Sequence, residues 1–129
     1  MKYLVILLIS AFSFAANAQE STKKIAEITF EVDGVCGMCK KRIENAAMRT
    51  SGVKMAEWNV ESHMLKVVYK ASKVTEDQLH QAIADVGHDT EKVKADSATY
   101  EKVNACCKYR DPKVHEDHGL KMKSVNTAH

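Results

Sequence analysis

Charge of one sign is what this sequence lacks first. Its 19 Lys and Arg against 17 Asp and Glu leave a formal charge of only +2, and the two signs are interspersed. Such a balance carries no nucleic-acid footprint and no membrane-surface footprint; it is the look of an ordinary solvated surface. No internal repeat and no low-complexity tract occurs. Glycine is scarce, at 5 residues, and none of it forms a phosphate-cradling loop. No nucleophile–base pattern stands outside the cysteines, so the chain reads as a non-enzyme. The methionines form no Met-x-x-Met array of the kind that collects copper. Proline occurs once, as Pro112, deep in the C-terminal part.

Long apolar runs are missing except at the start. Lys2 precedes a run from Tyr3 to Ala16 that only Ser10 and Ser13 interrupt, and Ala16-Asn17-Ala18 follows. A positive residue, an apolar stretch and a small-x-small site are the pattern of a signal peptide. The run is shorter than the ~20 apolar residues of a spanning helix. Residues 1–18 are therefore expected to be a signal peptide cut after Ala18, giving a periplasmic or secreted protein without stable membrane insertion. No Cys follows closely, which argues against a lipidated N-terminus. Removal takes away Lys2 and no acid, so the mature chain keeps a near-zero charge and a length suited to one small domain.

Scattered cysteines are missing as well. The four Cys come as two tight pairs, Cys36/Cys39 and Cys106/Cys107. An exported protein would ordinarily use cysteines for disulfides, but a bridge between near neighbours closes almost no loop and adds little stability. Tight pairs fit metal binding or redox exchange better.

What is present is a clear alternation of elements. Ile28, Phe30 and Val32 share one face of a period-2 strand that Asp33-Gly34 breaks. From Cys39 to Thr50 the period becomes helical, with Ile43, Ala46 and Ala47 inward and Lys40, Lys41, Arg42, Glu44 and Asn45 outward. Ser51-Gly52 ends it. Val53, Met55, Trp58 and Val60 suggest a second strand, Glu61-Ser62-His63 a turn, and Met64 to Tyr69 a third strand paired as a hairpin. Thr75-Glu76-Asp77-Gln78 is a capping box opening a helix that carries Leu79, Ala82, Ile83 and Val86 and stops at Gly87. Thr90 to Lys94 is expected as a short fourth strand. The order β-α-β-β-α-β over residues 23–95 predicts an α+β, ferredoxin-like sandwich: a four-stranded antiparallel sheet with two helices on one face. Residues 96–129 are expected as a C-terminal Cys- and His-containing extension. It should hold one helical turn between Ala98 and Ala105, dock through Tyr100, Val103 and Tyr109, and fray after about residue 119.

Cys36-Gly37-Met38-Cys39 lies where a strand meets a helix. A helix N-terminus offers free N–H groups and a partial positive charge, both of which favour thiolate. Thiolates select Cu(I), Zn(II) and heavier thiophilic ions. Two sulfurs suit a linear or trigonal ion such as Cu(I) or Hg(II), whereas a closed zinc site needs four ligands. Three other readings compete. One is a thiol-disulfide oxidoreductase pair of the thioredoxin-like kind, which relies on a cis-proline that Pro112 is badly placed to supply. The second is half of a four-Cys zinc knuckle completed by Cys106 and Cys107. The third is a structural disulfide.

The stretch Thr29-Phe30-Glu31-Val32-Asp33-Gly34-Val35-Cys36-Gly37-Met38-Cys39-Lys40-Lys41-Arg42-Ile43-Glu44 resembles the metal-binding loop and first helix of heavy-metal-associated domains. This family includes copper chaperones, N-terminal domains of metal-pumping ATPases and periplasmic mercury-binding proteins. Ser51-Gly52-Val53 and Ala84-Asp85-Val86-Gly87-His88-Asp89-Thr90 are similar to two of its later turns, so the resemblance spans residues 24–95. It implies Cys36 and Cys39 as ligands of Cu(I) or Hg(II). It implies reversible capture of the ion and its transfer, by thiolate exchange, to a metal-transporting membrane protein or ATPase that docks transiently with a monomer. Two positions depart from the pattern. Gly34 stands where the family usually has a Met beneath the loop, which implies a looser loop and an altered metal preference. His88 stands where relatives carry Tyr, Phe or Lys; it is either a third ligand or proton-dependent neighbour of the metal, or a solvent-exposed loop residue.

The second pair, Cys106-Cys107, is followed by His115 and His118, whose spacing can converge on one ion. Three arrangements are open: the tail folds back and a Cys joins Cys36 and Cys39; the tail forms its own soft-metal site with His115 or His118; or it holds a disulfide, vicinal or intermolecular. Zn(II) becomes a fitting ion if His88 or the tail cysteines join the first site. His63, His80 and His129 read as surface histidines.

Overall fold

The computed structural model describes residues 24–119. The signal-peptide segment, the expected frayed end and His129 lie outside these residues. Strand β1 (Ile25–Glu31) is followed by helix α1 (Gly37–Arg49), strands β2 (Val53–Trp58) and β3 (Met64–Lys70) and helix α2 (Glu76–Ala84). The strands form an antiparallel sheet in the order β1-β3-β2. Ile28 faces Val67 and Phe30 faces Leu65 across β1 and β3. The inward residues Phe30, Leu65, Val67 and Trp58 are buried against Ile43, Ala46 and Ala47 of α1 and Leu79 and Ile83 of α2, so one face of the sheet carries the core.

Local chemistry explains where the elements stop. Thr75 accepts a hydrogen bond from the Gln78 N–H while the Gln78 side chain accepts one from Thr75 N–H, closing the expected capping box. Gly52 and Gly87 take φ of 97° and 96°, the left-handed conformation that ends each helix. The β2–β3 turn is built by Asn59, whose side-chain oxygen accepts from the N–H groups of Glu61 and Ser62. A register irregularity between Val53 and Met55 turns Met55 outward, where it is 40% exposed, and lets Ala56 and Trp58 point inward. Met55 is therefore a surface residue and not part of the expected alternation.

Among the described residues the sheet has three strands in place of the expected four. In place of a strand at Thr90 to Lys94 there is one isolated bridge, Val32 to Thr90. The cause is local. Thr90 Oγ1 accepts from the N–H groups of Lys92 and Val93, and the Asp89 carboxylate accepts from Ala95 N–H. Side chains thus take the backbone donors that a fourth strand would have offered to β1.

The C-terminal segment packs onto this frame. Asp96 caps α3 (Ser97–Glu101), a 3-10 turn spans Ala105–Cys107, and Asp111 caps α4 (Pro112–Asp117). Tyr100, Val103 and Tyr109 are buried as expected, and Cys107 joins them. Tyr109 Oη donates to Gly87 O at 2.7 Å and accepts from Asp89 N–H at 2.9 Å. Arg110 forms a forked pair with Asp89, at 2.6 and 3.2 Å, and also donates to Ala95 O. Bidentate pairing of this kind fixes position as well as charge.

Candidate metal centre

Helix α1 starts at Gly37, two residues before the apolar pattern announces it, with Cys36 as its N-cap. The whole Cys36-to-Cys39 loop therefore lies in the first helical turn. The sulfurs of Cys36 and Cys39 are 3.8 Å apart; Cys39 is fully buried and Cys36 half-buried. Burial alone pushes the Cys36 thiol up. The N–H groups of Cys39 and Met38 and the neighbouring Cys107 and Cys39 thiols outweigh it, and the net shift is downward. Cys39 moves the other way: burial raises it, and the charge of Cys36 adds to that. One sulfur is thus disposed to ionise first, with a second held as a thiol beside it.

The tail brings both its cysteines to this point. Cys36 Sγ lies 3.7 Å from Cys107 Sγ and 3.9 Å from Cys106 Sγ. Cys36, Cys106 and Cys107 place their sulfurs within 4.8 Å of one another. All four cysteines are free thiols. Burial and the neighbouring sulfurs push Cys106 up to about 11 and Cys107 up to about 12. Cys106 Sγ also touches Met38 Sδ at 3.4 Å.

The floor of the loop is tryptophan. A Cβ on Gly34 would lie 2.9 Å from the Trp58 ring and 3.1 Å from Cys39 Cβ. Trp58 is fully buried and its indole N–H is shared between Val32 O and His63 O, each at 3.1 Å. Lys40 and Glu44 bind the Trp58 backbone from α1, through Lys40 Nζ to Trp58 O and Trp58 N–H to Glu44 Oε1. Trp58 fills the space beneath the loop, and glycine at position 34 is what lets the backbone approach the ring.

The histidines fall into distinct environments. His88 is fully buried, which corrects the exposed-loop reading. Its Nδ1–H donates to Asp33 O at 2.7 Å, and Nε2 faces Arg42 Nη1 at 3.4 Å. Burial holds His88 down at about 4, with the Arg42 charge acting in the same direction. His80 is also fully buried and not a surface residue; it bonds Thr90 Oγ1 at 2.7 Å and lies on Phe30. His63 stacks on Trp58 and is half-buried. His115 donates through Nε2 to Tyr109 O, and its buried Nδ1 has no partner among the described residues. His118 lines a shallow cavity over Cys36 together with Gly37, Met38, Lys41 and Cys106.

Arg42, expected to face outward, instead reaches from α1 to the C-terminal segment. Its Nη2 donates to Asn104 Oδ1 at 2.6 Å, and its guanidinium lies beside the Cys107 thiol and favours the thiolate. A position three residues after Cys39 shares that side of the helix, and this spacing was the available signal.

Comparison with known proteins fits the geometry. The heavy-metal-associated domain model matches residues 29–89. The copper chaperone CopZ of Staphylococcus aureus strain MRSA252 is 42% identical over 59 residues, covering 45% of this chain and 87% of that protein. The water-soluble region of the P-type ATPase CopA from Bacillus subtilis superposes with a TM-score of 0.50 at 26% identity, covering 53% of this chain and 46% of that one. Oxidized MerP from Ralstonia metallidurans CH34 shares the fold, with a TM-score of 0.51 at 23% identity over 53% of this chain and 96% of that one. The sulfur pair at the start of α1, the sheet that carries it and the similarity across residues 29–89 together show that the chain belongs to the heavy-metal-associated domain family.

Proposed function

We propose that this protein captures a soft metal ion, Cu(I) or Hg(II), between Cys36 and Cys39 and passes it on by thiolate exchange. The observation that carries the reading is the pair of sulfurs 3.8 Å apart at a helix N-terminus, with the more accessible one the readier to ionise. Cys36 meets the incoming ion, Cys39 gives up its proton and completes a two-sulfur site, and a thiolate of the partner then attacks the ion as one of the two leaves. Oxygen-ligand ions such as Mg(II) find no carboxylate among the clustered donors. Similarity to a copper chaperone favours Cu(I) and a carrier role over catalysis, and similarity to a copper ATPase's soluble region supports a metal-transporting ATPase or membrane protein as the docking partner. The signal-like residues 1–18 support operation outside the cytoplasm.

The test is anaerobic titration of the reduced protein with Cu(I), Hg(II) and Zn(II) against a competing chelator, beside a Cys36→Ser/Cys39→Ser variant. One ion bound tightly per chain, lost in the variant, is expected. Absence of tight binding for every ion would leave the pair to the rival role, thiol-disulfide exchange.

A further inference from the structure

We infer that the C-terminal segment is part of the metal site: Cys106 and Cys107 are additional thiolate ligands that close over an ion first taken by Cys36. The inference rests on the capture reading above and extends it beyond residues 29–89, the part matched by the family model. The two tail sulfurs are in contact with Cys36 at 3.9 and 3.7 Å, across seventy residues of sequence.

Thiols in contact already stand near the spacing that an ion with three or four thiolates requires. At a metal–sulfur distance of about 2.3 Å, a linear pair holds its sulfurs about 4.6 Å apart, a trigonal set about 4.0 Å and a tetrahedral set about 3.8 Å. The three separations from Cys36, at 3.7, 3.8 and 3.9 Å, match the higher coordination numbers and not the linear one. Cys36 is the sulfur common to all of them: it stands with Cys106 and Cys107 in a set whose sulfurs lie within 4.8 Å of one another, and it shares the loop with Cys39.

The tail is also held for this purpose by contacts that do not involve sulfur. Arg42 reaches from α1 to Asn104, immediately before the 3-10 turn that carries the cysteines. Tyr109 and Arg110, which follow Lys108 beyond it, are tied to Gly87 and Asp89. The cysteine turn is thus clamped on both sides. An open two-sulfur site gives its ion away readily; a site with one or two more thiolates must first lose them. The tail therefore sets how firmly the cargo is retained, and a docking partner must displace it or supply competing thiolates. Each added ligand binds as thiolate and releases its proton to solvent, with no change of oxidation state.

The experiment compares the reduced full chain with Cys106→Ser/Cys107→Ser and with Cys36→Ser/Cys39→Ser, each loaded with one equivalent of Cu(I). X-ray absorption counts the sulfur neighbours, and chelator competition measures retention. Three or four sulfurs in the unaltered chain, two in the tail variant and a loss of retention of at least about tenfold are expected, since even outer-shell changes cost 10- to 100-fold. The sulfur count of the unaltered chain does not depend on how well any variant folds, and Cys106→Ser alone alters only a half-buried side chain. Two sulfurs in the unaltered chain with unchanged retention in the tail variant would overturn this inference while leaving capture at Cys36 and Cys39 intact. Undiminished binding in Cys36→Ser/Cys39→Ser would overturn both.

Discussion

Acidification should destabilise this protein through His88. His88 is fully buried, donates from Nδ1 to Asp33 O and faces the Arg42 guanidinium with its other nitrogen. It is a base held at about 4 instead of its ordinary 6.5. Folding therefore favours the neutral ring, and the stability this brings is whole above pH 6.5 and is lost as pH falls from there through about 4. The difference amounts to about 3 kcal/mol in full, of which about 2 kcal/mol is gone by about pH 5. His80 and His63, both lowered mainly by burial, add losses of the same sign. Asp33, raised by burial and by the Asp89 charge, acts oppositely at the acid end. Urea unfolding of the reduced, metal-free protein at neutral pH and at about pH 5 measures the loss. His88→Asn keeps a donor for Asp33 O without a titrating ring, and should flatten most of the slope. An equally steep slope in that variant would refute the assignment to His88.

Three further outcomes follow from the packing. Gly34→Met should destabilise the protein by about 1–3 kcal/mol, because the new side chain meets Trp58 and Cys39 at once; pairing it with Trp58→Val should recover part of that loss in the same urea assay. Arg110→Met should cost up to about 3 kcal/mol by leaving the Asp89 carboxylate without its forked partner, and should speed alkylation of Cys107 followed by mass spectrometry. Thr75→Ala removes the capping box of α2 and should cost about 1 kcal/mol without altering metal retention.

The sequence was legible wherever one local rule decided the outcome. Alternation of Ile28, Phe30 and Val32, the helical spacing of Ile43, Ala46 and Ala47, and the Thr75–Gln78 box all appear where their patterns place them. It misled where a side chain competed with the ladder: Thr90 and Asp89 take backbone donors locally, so the fourth strand shrinks to a bridge. Long-range replacement was invisible as well. Nothing near Gly34 announces that Trp58, on another strand, fills the space beneath the loop. Cys36 and Cys39 stand out by spacing alone, whereas the convergence of Cys106 and Cys107 on them depends on Tyr109 and Arg110 binding the turn after α2, a contact no periodicity encodes. The burial of His80 and His88 has the same origin, since each lies under a segment distant in sequence.

The central claim is that the cargo sits on the α1 thiol pair, and alkylation mapping addresses it most directly. The reduced protein, with and without one equivalent of Cu(I), is treated anaerobically with a thiol reagent and each cysteine is read by peptide mass spectrometry. Cys36 should react first in the metal-free chain, and the ion should protect Cys36 and Cys39 together. Full labelling of both while the ion remains bound would contradict the account.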